Sequence, residues 1–481
     1  MSVITNVFRF RGRLDRIQFI YAIVFSLFIV VLGCHSNDVH VPASANTAAE
    51  TATREVLRVA TSGDYSPFSH WTADASTPFG FSVSVAQAYA DDMGASVEWI
   101  RFRWPELASD LTDGSFDLAL SGITVRPDRS MLGRFSLPLT TSGAVVLVPA
   151  DSSLESASDL DRSSIHIAVN AGGHLERVAR RLFPSAQIEA IAENAAVPGR
   201  LASGAVQAVV TDTLEAPLWQ KSAQAGLRVI GPLTRDQKAA WFPPTHESAA
   251  LRFNHWLLRA EVSGQLGRLR QESGLPAGRT ADALPALLSS LDERLTLMPA
   301  VADAKHILET PIENSAREAV VLDAAVRAIQ DAASEAETAP PERSAVRRFF
   351  RAQIEAAKWI QVQRLRTLPE EQTPAGSAGQ LDARATLNEI IRPALIYLGN
   401  RISMLVIACV VESPEEFTYD DVAKSLERHG LPEPYLRAIY ESLAEIVSHE
   451  RRIEPSHRPV PARTNTVPSG RGSRPIIKTN Q

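Results

Sequence analysis

The chain has 481 residues and a formal net charge of −6, from 49 Lys and Arg against 55 Asp and Glu. That length leaves room for two or three domains, and no basic stripe runs through the folded part, which excludes nucleic acid as an expected partner. The two cysteines, Cys34 and Cys409, stand far apart in unlike surroundings, which excludes a disulfide framework and a cysteine metal site; no metal or other cofactor is expected.

Residues 1–34 read as an export signal. Arg9, Arg11, Arg13 and Arg16 form a positive n-region. Phe19 to Leu32 is almost wholly apolar, short for a membrane span and suited to an h-region. It ends in Val31-Leu32-Gly33-Cys34, which resembles a bacterial lipoprotein box and implies lipidation of Cys34. An uncleaved signal anchor is the alternative. Either one tethers the chain to a membrane and places the rest outside the cytoplasm, in a periplasmic or equivalent space. Residues 35–54, rich in Ala, Ser, Thr and Asn, read as a flexible tether.

From Val56 short apolar strands alternate with amphipathic helices, which argues an α/β fold. RVATSGDYSPFS, the WPEL at 104–107, GSFDLALSGITVRPDR and FSLPL follow in that order. These words resemble the bilobed, periplasmic-binding-protein-like solute-binding proteins of the polar amino acid class. They resemble still more closely the cyclohexadienyl dehydratases built on that fold. The resemblance covers about 55–276. It implies a first lobe at about 55–142 and 235–276, a second at about 143–234, and a ligand in the cleft between them.

The same resemblance assigns site residues. Arg129 clamps a substrate carboxylate, while its neighbour Arg126 is expected to face solvent. Thr124 and the Ser121–Gly122 segment add hydrogen bonds. Tyr65 and Trp104 wall the ligand or are plain core. Asn170 to Glu176 reads as strand end, glycine turn and helix start, so Gly173 and His174 stand where free N–H groups meet an anion. Asp212 holds an amino group or, alternatively, caps a helix. Glu176 is the expected general acid: when prephenate loses CO2, the departing ring hydroxyl needs a proton. A helix-start Glu serving only the dipole is the alternative. His174-Leu175 replaces a Thr-Asn pair of the dehydratases, which removes two polar side chains from the expected pocket.

From Leu284 onward the pattern is helical. Arg294 and Lys305 lie eleven residues apart on one predicted helix; three helical turns are about 10.8 residues, so both point the same way. Pro299 should kink or break that helix. Arg317 follows after Thr310-Pro311. Three such cations suit a small dicarboxylate, and a solvated basic face is the alternative. Phe349 to Gln363 sets Gln353 and Gln361 inside an apolar helical pattern. Together these stretches resemble the all-helical chorismate mutases, in particular their secreted subclass, over a domain at 283–453. The resemblance assigns Arg294 and Arg317 to carboxylates, Lys305 and Gln361 to the breaking ether oxygen, and Glu318 to the ring hydroxyl. Arg392, or failing that Arg401, comes from a helical extension. Asn314 and Ala357 depart from the family pattern. The 454–481 tail is expected to be disordered.

The expectation is therefore a multidomain chain: a bilobed α/β domain followed by an all-α mutase domain. Its expected chemistry is chorismate to prephenate, then prephenate to phenylpyruvate, or arogenate to phenylalanine. An amino acid-binding transport or sensor domain fused to an active mutase is the alternative. The small-molecule partners would be chorismate and prephenate or arogenate, and a homo-oligomer stays open.

Overall fold

A computed structural model describes residues 55–449, apart from 73, 224–225, 277–282, 369–376 and 415–416. The export signal, Cys34, the tether, the 277–282 junction and the tail lie outside the described residues.

The α/β part begins with β1 (Val56–Thr61), a short hairpin of β2 (Asp64–Tyr65) and β3 (Ser69–His70), α1 (Phe81–Met93), β4 (Ser96–Arg101), α2 (Leu107–Thr112), β5 (Leu118–Thr124), α3 (Pro127–Leu132), β6 (Arg134–Phe135) and β7 (Thr140–Ser142). The chain then enters a second sheet with β8 (Ala144–Pro149), α4 (Ala157–Leu160), β9 (His166–Asn170), α5 (His174–Leu182), β10 (Gln187–Ile191), α6 (Val197–Ala202), β11 (Ala208–Asp212), α7 (Ala216–Ser222) and β12 (Leu227–Ile230). It returns through β13 (Asp236–Phe242), α8 (Glu247–Val262) and α9 (Gln265–Glu272).

The first sheet runs β4-β1-β5-β13-β6, with β7 also on β13; the second runs β10-β9-β11-β8-β12. Two crossings, at Gly143 and at 231–235, join the lobes. All seven residues of β5 and of β13 are buried, as expected for central strands covered on both faces. The carboxyl ends of β1, β5, β9 and β11 carry the loops that meet between the lobes, where open α/β sheets bind ligands.

The helical part comprises α10 (Ala283–Thr296), α11 (Met298–Ile307), α12 (Ser315–Glu335), α13 (Arg343–Arg366), α14 (Ser377–Ala385), a π-helical stretch Thr386–Ile391, α15 (Arg392–Glu412), α16 (Tyr419–Leu426) and α17 (Glu433–His449). Arg294 and Lys305 do not share one helix as expected: α10 ends at Thr296 and α11 begins at Met298. Pro299 sits in the first turn of α11, where its missing N–H sacrifices no helical bond.

Lobe one and the helical part share one apolar core. Phe253, Trp256 and Leu257 of α8 belong to the same cluster as Leu287 and Leu291 of α10 and Ile402, Leu405 and Val406 of α15. Lobe two keeps cores of its own, around Val146, Ile167 and Phe183 on one face and Val145, Val209 and Trp219 on the other. Polar ties cross the shared core as well. Fully buried Asn254 accepts the Leu137 N–H at 2.7 Å and donates to the Tyr397 hydroxyl at 3.1 Å. Ser130 of α3 donates to Glu293 of α10, whose other oxygen takes Arg401 of α15.

Candidate active sites

Two cavities collect most of the residues singled out above. The first lies in the cleft and measures about 40 Å³. Tyr65, Trp104, Thr124, Arg129, Gly173 and His174 line it, together with Asn194, Glu215 and Lys238. The local backbone explains why Tyr65 can approach. Gly122 has φ +64°, and a Cβ there would lie 2.6 Å from the Phe68 ring and 2.8 Å from the Tyr65 ring. At the opposite wall Gly172, φ +72°, lets lobe two pack against Pro105, 2.8 Å from where its Cβ would stand.

Arg129 is 5% exposed; its guanidinium donates to the Thr124 carbonyl at 3.3 Å and lies 5.6 Å from the Trp241 ring centre. Burial, with Arg126 nearby, pulls its pKa down to about 9. A desolvated cation beside a cavity favours an anion there. Arg126 does not face solvent as expected: its side chain is 14% exposed and pairs with Asp128.

Glu215 is 3% exposed and accepts from the Asn194 amide and the Thr211 hydroxyl, both at 2.7 Å. Burial pushes its carboxyl up to about 8, so it holds a proton at neutral pH. Lys238, a lysine inside a buried strand, bonds to the Thr124 hydroxyl at 3.0 Å and the Tyr65 oxygen at 3.1 Å, and pairs with Asp212 at 3.2 Å. Neither Glu215 nor Lys238 was singled out from the sequence. A Glu three residues after Asp212 in an apolar stretch, and a lone Lys before Ala-Ala-Trp-Phe, were the available signals.

Three expected cleft residues stand elsewhere. Glu176 does not line the cavity; its carboxylate accepts the Gly172 N–H at 2.7 Å and pairs with Arg180 at 2.8 Å, stapling the start of α5. Ser121 is fully buried and bonds to the Ser62 and Ser69 hydroxyls, each at 2.8 Å, so it braces the loop behind the site. Asp212 also lies behind the lining. One oxygen accepts the Leu214 and Glu215 N–H groups at 2.9 and 3.0 Å, and the other takes Tyr65 and Lys238.

Several of these bonds cross between the lobes. His174 meets Asp236 at 3.0 Å, Arg177 meets Asp128 at 2.6 Å, and the Asn194 amide donates to the Asp64 carbonyl at 3.2 Å. Burial lowers the His174 pKa despite Asp236. A cavity this small holds a few waters, so a larger ligand requires the lobes to part.

The second cavity, about 260 Å³, lies in the helical part. Arg294 (α10), Lys305 (α11), Arg317 and Glu318 (α12), Gln361 (α13) and Arg392 (α15) all line it. Lys358 is a fifth cation there, against the single carboxylate of Glu318. Arg401, the second choice for the extension, is absent from the lining and pairs with Glu293. Burial takes Arg294 down to about 10 and lowers Lys305, the latter helped by Arg392 and Arg317. Lys305 donates to the Ile312 carbonyl at 2.7 Å. Gln361 donates to the Ala357 carbonyl at 3.1 Å, while its carbonyl oxygen and the Arg294 Nε are buried without a hydrogen-bond partner among the described residues. Asn314 caps α12 by accepting the Arg317 N–H at 2.9 Å, which holds Arg317 at the rim.

The sequence model described as "Bacterial extracellular solute-binding proteins, family 3" matches residues 57–310, reaching past α9 through α10 and α11. The cyclohexadienyl dehydratase of Pseudomonas aeruginosa is 33% identical over 224 residues, which span 46% of this chain and 82% of that protein. The arginine-binding extracellular protein ArtP of Bacillus subtilis is 28% identical over 158 residues, spanning 33% of this chain and 60% of that protein. Among solved structures, an ancestral amino acid-binding protein described as a precursor of cyclohexadienyl dehydratase is 29% identical, covering 45% of this chain and 94% of that one at a TM-score of 0.43. With more than half of its length matched by the family model, this chain belongs to the bacterial extracellular solute-binding proteins of family 3.

Proposed function

We propose that the chain is a two-site enzyme, a chorismate mutase in its helical cavity and a prephenate dehydratase in its cleft. The observation that carries the first half is the convergence of Arg294, Lys305, Arg317, Glu318, Gln361 and Arg392, from five helices, on one cavity. The rearrangement is unimolecular: the ether C–O bond breaks as a C–C bond forms. It calls for fixed cations around two carboxylates and donors at the ether oxygen where negative charge grows. Arg294, Arg317 and Arg392 suit the carboxylates, and Lys305 and Gln361 suit the oxygen. Glu318 accepts from the ring hydroxyl.

In the cleft the reading rests on the dehydratase relative and on Glu215. Arg129 and Lys238 hold the two carboxylates of prephenate. The ring carboxylate departs as CO2, its electron pair aromatises the ring, and the C–O bond to the hydroxyl breaks. That oxygen leaves as water with the proton of Glu215, which is later restored from solvent. Glu215 thus takes the role first expected of Glu176. The two sites fall to domains at 55–276 and 283–453. Family membership implies an extracytoplasmic location, and export with lipidation of Cys34 would tether the chain to a membrane.

The name of the ArtP relative favours a second reading, in which the cleft only captures an amino acid for transport or sensing beside an active mutase. Variants separate the readings. Lys305→Ala abolishes the chorismate reaction alone and Glu215→Gln the prephenate reaction alone, whereas Glu176→Gln retains both. Tight stoichiometric binding of an amino acid without prephenate turnover would establish the second reading.

A further inference from the structure

Lys358 stands apart from the other four cations of the helical cavity, because carboxylates already surround it. It belongs to the face of α13 whose Ile354, Ala357 and Gln361 also line the cavity, at the i, i+3, i+4, i+7 spacing of one helix face. Its ammonium lies 2.8 Å from Glu355, one turn back on the same helix, and 3.7 Å from both Glu313 and Glu318. Burial works against this charge, yet Glu355, Glu318 and Glu313 together raise the Lys358 pKa. Glu313 and Glu355 are exposed, whereas Glu318 lines the cavity and its side chain is 19% exposed. Lys358 thus ties the first turn of α12 to α13 at the solvent side of the cavity.

Glu318 shares that lining with Arg294, Lys305, Arg317 and Arg392. None of these four pairs with it among the described residues. Lys305 is nonetheless near enough that the Glu318 charge offsets part of the lowering that burial, Arg392 and Arg317 impose on its pKa. A chain carboxylate that settled on one of these cations would compete for it with the carboxylates of a substrate. We infer that Lys358 is a positioning residue of the helical site: it holds Glu318 toward the solvent side, off Lys305 and the arginines, so that those cations stay free for a dianion while Glu318 still meets the ring hydroxyl. This rests on the mutase reading and adds a residue to it. The fifth cation then serves to neutralise the cavity's own carboxylate rather than to bind substrate.

The test is a double-mutant cycle on chorismate turnover by the full chain, read as kcat/KM. Lys358→Met releases Glu318 onto Lys305 and should lower kcat/KM by about tenfold. With Glu318→Gln already in place there is no carboxylate to hold, so adding Lys358→Met should cost less than about twofold. Lys358→Arg keeps the pairing charge and should stay within roughly threefold of the wild type. Lys358→Gln takes the place of the methionine variant if that chain does not fold. A loss of equal size in both backgrounds would make Lys358 a direct substrate contact or a purely structural residue, and would overturn the assignment; so would a Lys358→Met chain as active as the wild type. Wild-type turnover without coupling between the two positions sinks this assignment alone. A wild type that leaves chorismate untouched sinks the mutase reading and the assignment with it.

Discussion

The Ser130 hydroxyl donates to the Glu293 carboxylate, and their chain neighbours are the arginines of the two cavities. Arg129, before Ser130, lines the cleft; Arg294, after Glu293, lines the helical cavity. Ser130 and Glu293 are 7% and 4% exposed, and Arg401, 2% exposed, takes the second carboxylate oxygen. Cutting Glu293 back to Ala would strand Arg401 in the core without its carboxylate. Breaking a buried pair from one side costs about 3–5 kcal/mol. Urea unfolding of Glu293→Ala should show a loss of that order, while Glu293→Leu/Arg401→Met should recover part of it. A loss under about 1 kcal/mol, the scale of an exposed pair, would contradict the buried role.

If Glu215 is the general acid of the proposed dehydratase reaction, that reaction fails toward high pH. A general acid must carry its proton, so the rate should fall as pH rises through about 8. Stability follows the same group. Its folded pKa lies above its ordinary value of 4.5, so the unfolded chain releases this proton first. The contribution of Glu215 to stability is then full below about 4.5 and is lost as pH rises to about 8, beyond which it is level. Glu215→Gln should thus gain stability relative to the wild type across that window. Melting curves of both chains at pH 5 and pH 9 check the sign.

Gln361 offers a donor to the helical cavity at every pH. In Gln361→Glu the new side chain donates only when protonated, and as a carboxylate it repels a dianion. Mutase turnover of that variant near pH 8 should fall by about 10²-fold and recover as the buffer is acidified. A wild-type rate with no matching acid limb, and a variant rate that climbs toward low pH, is the expected pair of profiles. A variant that keeps its wild-type profile would remove Gln361 from the reaction.

The helical site was legible through its resemblance to the helical mutases, which singled out Arg294, Lys305, Arg317, Glu318 and Gln361; the eleven-residue spacing presupposed one helix, and it is the packing of α10 to α13 that brings these residues to one cavity. Even the break at Leu297 leaves Arg294 and Lys305 on one cavity. The cleft was harder to read. Arg129, His174 and Tyr65 belong to local motifs, but Glu215 and Lys238 acquire meaning only when β11 and β13, from opposite lobes, face each other. Glu176 misled for a local reason: a Glu in the first turn of α5 satisfies the Gly172 N–H and Arg180 of its own helix. The apolar core uniting lobe one with the helices was also hidden, since nothing in the pattern of α8 or α15 says which element covers which.

The most direct test gives the purified protein chorismate at neutral pH and follows chorismate, prephenate and phenylpyruvate separately in time. Two working sites predict catalysed loss of chorismate, a transient rise of prephenate, and phenylpyruvate above the spontaneous background. Chorismate consumed no faster than without protein, with added prephenate equally untouched, would contradict the account.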